Sequence, residues 1–169
     1  MTLLDFIRPK YQHHNPKVRL TAVKTLEDIS LLAEIAQDDP SNEVRNAAIS
    51  QIKDESLLEQ IVMNCKFHET ALAVLKKITH EETLFLIVIK SNDLNIINAA
   101  IEHIQNERFL ADILKSCRSL STCIAATEKI TDVSLLIDIH SRNIHNPQIL
   151  RAIKDRIKHL TESTSNNAE

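Results

Sequence analysis

The sequence predicts an all-α protein in which about six two-helix repeats of 26 residues stack into an α-α superhelix. Small and branched apolar residues return every 26 positions, and within each repeat their spacing is that of α-helices. Two of these columns are Ala22, Ala48, Val74, Ala100, Ala126 and Ala152, and Leu32, Leu58, Leu84, Leu110 and Leu136. The chain also lacks glycine, which disfavours tight hairpins and phosphate-binding loops.

Residues 1–13 precede the first repeat and are predicted to form an N-terminal cap segment, with a capping helix over 2–8. Asp5 interrupts the apolar residues of this segment and no basic leader precedes them, so we do not expect an export signal. Residues 14–160 are predicted to form the repeat solenoid. Residues 161–169 are small and polar, and we expect a disordered tail there.

The first repeat shows the plan of one unit. Val18, Ala22, Val23 and Leu26 lie at i, i+4, i+5 and i+8, which is one stripe of an α-helix, here called helix A. A second stripe, helix B, contains Leu31, Leu32, Ile35 and Ala36. Asp28 lies between the stripes, where its carboxylate can accept hydrogen bonds from the first amides of helix B. Because the connection is short, the two helices should be antiparallel.

The later repeats follow the same plan. The helix B capping column continues as Asp54, His80, Asn106 and Asp132. Polar breaks separate the repeats at 38–40, 64–68, 91–93, 116–119 and 143–147. Pro16 and Pro147 stand where the first turn of a helix tolerates proline. This pattern predicts six A helices and five full B helices, and Arg156, in place of an expected isoleucine, is typical of a charged terminal repeat.

The first two repeats resemble the HEAT family. Residues 15–19 (Asn-Pro-Lys-Val-Arg) and 42–45 (Asn-Glu-Val-Arg), each followed at helical spacing by Ala-Val or Ala-Ile, are similar to a signature of short bacterial HEAT repeats. The resemblance covers residues 14 to about 159 and implies a HEAT/armadillo-like solenoid. It weakens after repeat two, where valine is replaced by Thr70, Ile96, Thr122 and Gln148.

Residues 8–13 also resemble the lead-in of bacterial HEAT-like proteins of unknown function, in some of which a separate C-terminal domain follows the repeats. The family resemblance implies a binding scaffold, because most HEAT arrays bind other proteins. A minority are enzymes or accessory proteins, including the lyase group that handles bilin cofactors. An accessory or lyase-like enzyme therefore remains the alternative.

The overall charge argues against nucleic acid as a partner. The net charge is −3 and the pI is about 6.2, whereas nucleic-acid binding usually requires a basic surface. Basic residues cluster near both ends, and we interpret them as solvated helix faces. They are Arg8, Lys10, Lys17 and Arg19 with His13 and His14 at the start, and Arg151, Lys154, Arg156 and Lys158 near the end. No apolar run is long enough to span a membrane, and three cysteines without a signal predict a reduced, cytoplasmic setting.

We find no pattern that predicts catalysis, a cofactor or a metal site, so the sequence predicts a protein that is not an enzyme. The eight histidines lack the spacing of a zinc site, and His140 replaces an apolar residue at the end of a B helix. Cys65 and Cys117 occupy equivalent loops two repeats apart, too far for a disulfide. Cys123 is predicted to be a small core residue.

The B helices carry the candidate partner-binding surface, because in HEAT-type stacks they usually line the concave face. Three of their columns should face solvent, and in repeat three all three are apolar, within the continuous apolar run 84–89. The predicted patch consists of Met63, Phe85, Leu86 and Ile89, rimmed by Glu59, Gln60, Asp112 and Lys115. Such a patch would receive an apolar peptide or helix of another protein. Burial of this helix and self-association through it are the alternatives.

Overall fold

A computed structural model describes residues 9–116, 119–141 and 146–166, and the side chains up to residue 163. After a 3₁₀ turn at Lys10–Gln12, the α-helices are α1 (Pro16–Val23), α2 (Ile29–Asp38), α3 (Asn42–Gln51), α4 (Glu55–Asn64), α5 (His68–Leu75), α6 (Glu81–Lys90), α7 (Leu94–His103), α8 (Glu107–Ser116), α9 (Leu120–Lys129), α10 (Val133–Ser141) and α11 (Pro147–Asn166). No strand occurs within these ranges. The predicted all-α class is confirmed.

The chain divides into two compact units, Met1–Thr79 and His80–Glu169. In the first unit α1 packs on α3, α2 on α4 and α3 on α5, while α2 also packs on α3 and α4 on α5. In the second unit α7 packs on α9, α6 on α8 and α9 on α11, while α6 packs on α7, α8 on α9 and α10 on α11. Packing of A on A, B on B, and each B helix on the following A helix is the arrangement of an α-α repeat.

The polar residues between helices A and B act as the sequence predicts. Asp28 accepts from the Leu31 amide at 3.1 Å, and Asp54 accepts from the Ser56 and Leu57 amides at 2.9 and 3.0 Å. Asp132 and Asn106 cap their helices in the same way. His80, at the equivalent position in repeat three, makes no such cap. The boundary between the two compact units also lies at His80. Hydrogen bonds from the Ser56 and Leu57 amides and the Ser56 hydroxyl lower the pKa of Asp54.

The apolar columns form the core. The leucine column from Leu32 to Leu136 is buried throughout, and so are Ala48, Ala100 and Ala126 in the alanine column. Ala22 and Ala152, in the first and last A helices, are only half-buried. The column is therefore fully buried from Ala48 to Ala126, including Val74, as close helix packing predicts.

Two predictions concern the segments near the ends of the chain. The predicted capping helix over 2–8 lies outside the described residues, and the predicted break at 143–145 does as well. The disordered tail predicted from Thr161 is wrong over its first part, because α11 continues as a helix to Asn166. Hydrogen bonds from Thr161 and Ser163 to carbonyls one turn earlier accompany this extension.

Arg19 was expected on a solvated face, and this expectation is wrong: its side chain is buried. Its Nε and Nη2 donate to the two carboxylate oxygens of Asp39 at 2.7 and 2.9 Å, and its Nη1 donates to the carbonyls of His13 and His14. Cys123 is buried, as predicted, and Cys117 lies outside the described residues.

Candidate functional site

Of the three B-helix columns that were predicted to face solvent, two are largely exposed. The column of Glu34, Gln60, Leu86, Asp112 and Asp138 is exposed in every repeat. The column one turn further is exposed from Met63 to Ser141 and half-buried at Gln37. The remaining column was predicted to face solvent, and this is wrong for Ala33 and Ala111, which are buried. This column lies at the edge of the core, where small residues fit beneath the exposed face.

Helix α6 is not buried on all sides. Leu86 and Ile89 are 39% and 41% exposed, while Leu84, Ile87 and Val88 on the opposite side are buried. Leu86 and Ile89 are three residues apart, which places them as neighbours on the helix surface. The alternative that the continuous apolar run 84–89 is covered on every side is therefore excluded for these two residues.

Phe85 has a different role from its predicted patch neighbours. Its ring is half-buried and lies 5.7 Å, centroid to centroid, from the ring of Phe109 on α8, tilted by 37°. Such an arrangement is a favourable aromatic contact within the fold. Phe85 thus stabilises the packing of α6 on α8 while Leu86 and Ile89 face solvent.

The predicted patch and its rim include residues of both units. Met63 (36% exposed), Gln60 and Glu59 lie on α4 in the first unit, where Glu59 is half-buried. Asp112 and Lys115 lie on α8 in the second unit, and both are exposed. The Lys115 ammonium donates to the Asp112 carboxylate at 2.7 Å. Because this ion pair is solvent-exposed, it contributes little to stability.

A groove of about 420 Å³ lies beside α6 in the second unit. Its apolar wall contains Ile89 and Leu94, which are 41% and 48% exposed, with Val88 and Ile97 buried behind them. Leu94 was missed by the sequence reasoning. A signal was present, because the equivalent position in the first three repeats is Pro16, Asn42 and His68. The apolar surface of α6 therefore continues across the α6–α7 turn.

The rest of the described lining of the groove is polar. It is formed by Lys90, Ser91, Asn92, Ser116, Ser119 and Thr122. The Ser91 hydroxyl accepts from the Asp93 amide at 3.1 Å, and the Ser119 and Ser121 hydroxyls are 2.7 Å apart. The Thr122 hydroxyl is buried and has no hydrogen-bond partner in the described part of the chain. We call this space the α6–α9 groove, because its first lining residue, Val88, lies on α6 and its last, Thr122, lies on α9.

The described residues of the groove offer hydrogen bonds and apolar contact but no acid or histidine. No cluster of three or more metal-binding side chains occurs in the described ranges. In the first unit, burial raises the pKa of the Cys65 thiol, although hydrogen bonds and the charge of Arg45 oppose this effect. Because its pKa is raised, the thiol stays protonated at neutral pH and is a poor nucleophile.

No protein-family model, curated protein or solved structure matches this chain. Its class therefore follows from its own architecture: it is an all-α protein with α-α repeat packing, the arrangement of an α-solenoid. Within the described ranges, no helix combines the length and the apolarity that crossing a membrane requires.

Proposed function

We propose that this α-solenoid is of the HEAT-like type and acts as a non-catalytic scaffold that binds another protein in the α6–α9 groove. The observation that carries the proposal is the exposed apolar surface of Ile89 and Leu94 in a groove whose other lining is largely polar. Contiguous exposed apolar surface with a polar border is typical of protein-binding sites.

The two parts of the lining favour an extended apolar peptide over a helix as the occupant. A helix satisfies its own backbone amides and carbonyls, whereas an extended peptide needs partners for them. Ser91, Asn92 and Ser116 supply hydroxyl and amide groups to the groove, and Ile89 and Leu94 supply apolar contact to it. An extended segment can use both parts at once, with alternate side chains placed on the apolar one.

The composition of the groove gives less support to the alternatives. A lyase-like role requires an acidic or histidine-bearing cleft, and the described lining residues include neither. Nucleic-acid binding requires several basic contacts along the backbone, and Lys90 is the one basic residue among the described lining. Protein binding needs no such groups.

The experiment selects peptides from a phage-displayed random library on the purified protein and measures their affinity for two matched variants. Leu94→Asp should weaken binding of the selected peptides roughly tenfold or more, because it places a charge in the apolar wall. Ile29→Asp is the control: Ile29 is also the first residue of its helix, is 50% exposed, and lies in the first unit. Both variants should keep the fold, since an acid at a helix N-terminus is favourable.

Selected peptides should be rich in apolar residues, and Ile89→Asp, at an exposed position of the groove, should weaken their binding as well. Apolar peptides that bind Leu94→Asp and Ile29→Asp equally well would contradict the proposal. Light scattering tests the self-association alternative. A concentration-dependent dimer that Leu94→Asp abolishes would identify a second copy of the chain as the occupant.

A further inference from the structure

A second groove, of about 370 Å³, lies between α10 and α11 in the second unit. Ile137 and Ile157 form its apolar part, and Ile137 is 54% exposed, more than Leu86, Ile89 or Leu94. The other lining residues are His140, Lys154, Lys158 and Thr161. None of these residues belongs to the α6–α9 groove, so the two surfaces are separate.

This α10–α11 groove lies along the packed pair formed by α10 and the 20-residue helix α11. Ile137 is exposed there, whereas its equivalents in two earlier repeats, Ala33 and Ala111, are buried.

The charge at this groove is positive. Lys154 and Lys158 are one helical turn apart, both are exposed, and the described lining contains no carboxylate. The Lys158 ammonium lies 3.8 Å from Glu162 on α11, but both side chains are largely exposed, so this ion pair is weak. Arg156 is not available to a ligand in the same way, because its Nε donates to the Ile130 carbonyl at 3.0 Å.

His140 adds a polar group at the bottom of the groove. Its Nε2 is buried and has no hydrogen-bond partner among the described residues. A buried polar atom without a partner is destabilising, so a ligand carboxylate that pairs with this nitrogen would gain binding free energy. The imidazole has to turn toward the groove for this contact, because Nε2 is buried.

We propose that the α10–α11 groove is a second docking site, which binds an acidic segment of another protein in which an apolar side chain is flanked by carboxylates. The apolar side chain packs on Ile137 and Ile157, and the carboxylates pair with Lys154 and Lys158. Apolar contact supplies most of the affinity, and the lysines select the charge of the partner and accelerate association. The chain as a whole is negative, so this local charge is a specific feature and not a consequence of composition.

The test is a peptide selection on the whole chain, followed by affinity measurements on a charge-reversed double variant, Lys154→Glu with Lys158→Glu. The control double variant, Lys24→Glu with Lys76→Glu, makes the same change in net charge at two exposed lysines of the first unit. Peptides that combine acidic and apolar residues should bind the wild type and the control equally. They should lose roughly tenfold or more in affinity on the double variant, and their affinity should fall with added salt.

Two outcomes would overturn the proposal. One is a selection without acidic peptides, or with acidic peptides that bind the charge-reversed variant unchanged. The other is self-association that the charge reversal abolishes, because the occupant would then be a second copy of the chain. If circular dichroism shows that the double variant is unfolded, Ile137→Glu, at an exposed position, replaces it in the same comparison. Leu94→Asp should leave these peptides unaffected, which separates this site from the α6–α9 groove.

Discussion

The two arginines of the repeated Val-Arg motif are structural residues of the first unit. Arg19 forms a two-point ion pair with Asp39, which further raises the pKa of Arg19. Arg45 is almost completely buried, and its guanidinium donates to Thr70 Oγ1 at 2.7 Å and to the Asp39 carbonyl at 2.8 Å. Its guanidinium carbon also lies 3.7 Å from the centre of the Phe67 ring. Both arginines thus bind the connections between repeats, which explains why a charged residue occurs inside this stack.

Asp39→Ala should lower the free energy of unfolding by about 3–5 kcal/mol, because Arg19 would keep a buried charge without its partner. The neighbouring Asp38 provides the control. Its carboxylate is exposed and lies 2.9 Å from Lys66, so Asp38→Ala should cost about 1 kcal/mol or less. Chemical denaturation followed by circular dichroism measures both values. Equal, small losses in the two variants would show that the Arg19 pair does not stabilise the fold.

At the scale of the helices, the first residue of a B helix is often a glutamate that binds the next repeat. Glu81 accepts from the Gln105 and Asn106 amides at 3.1 and 2.8 Å, and Glu107 accepts from the Thr131 and Asp132 amides, both at 2.9 Å. Each carboxylate lies at the start of its own helix and also binds the following A–B turn. Glu81 and Glu107 therefore join neighbouring repeats.

Two A helices carry a lysine with a corresponding role at their C-terminal end. In the first unit the Lys77 ammonium donates to the carbonyls of Ile49 and Ser50, at 2.5 and 2.9 Å. In the second unit the Lys129 ammonium donates to the carbonyls of Ile101 and Glu102. These carbonyls lie at the end of the preceding A helix, and those of Ile49 and Ile101 also accept from the Ile52 and Ile104 amides, so each lysine adds a donor from the next repeat.

The Glu107 contact predicts a measurable pH dependence. Burial by itself would raise the pKa of Glu107, but hydrogen bonds from Thr131 and Asp132 outweigh it, and the pKa is lowered from 4.5. A lowered pKa stabilises the fold above the pKa of the unfolded chain, and this stabilisation is lost as the pH falls through the folded pKa. Acidification below about pH 4.5 should therefore lower the melting temperature more for the wild type than for Glu107→Gln.

Glu128→Gln, at an exposed position on α9, is the control and should behave like the wild type. Thermal melts over a series of pH values give the comparison. If the wild type and Glu107→Gln lose the same number of degrees on acidification, the carboxylate makes no net contribution to stability.

At the scale of the whole molecule, each of the two units has its own part of the core. Ala48 and Ala100 occupy equivalent positions in the first and second unit, and both are fully buried. In repeat proteins each repeat contacts only its neighbours, so damage to one repeat should spread along the stack and fade with distance.

Ala100→Phe should destabilise the second unit by about 1–3 kcal/mol, because no space exists for the larger side chain between packed A helices. Hydrogen exchange should show the largest loss of protection in α7 and in its packing partners α6 and α9. Protection in α1 and α2 should change little. Asn98→Phe, on the exposed side of the same helix, is the control. Equal loss of protection in every helix would show that the chain unfolds as one cooperative body.

Much of the fold could be predicted from the sequence because its signals are local. The spacing of apolar residues gives the A and B helices and the buried columns, and Asp28, Asp54 and Asp132 mark the helix starts. The candidate site was predicted less well. The sequence left open whether Leu86 and Ile89 are exposed or buried, and the structure shows them exposed. Phe85 is half-buried against Phe109, and the contribution of Leu94 was missed.

The sequence by itself determined the repeat length, the order and type of the helices, and the residues of the core, since each depends on periodicity along the chain. Only the tertiary structure decided which side chains near the surface are covered. Ala33 and Ala111 are buried, Arg19 lies inside its ion pair with Asp39, and Ile137 is open to solvent. The physical reason is that the exposure of a residue depends on what packs across from it, and the groups that pack there are distant in sequence.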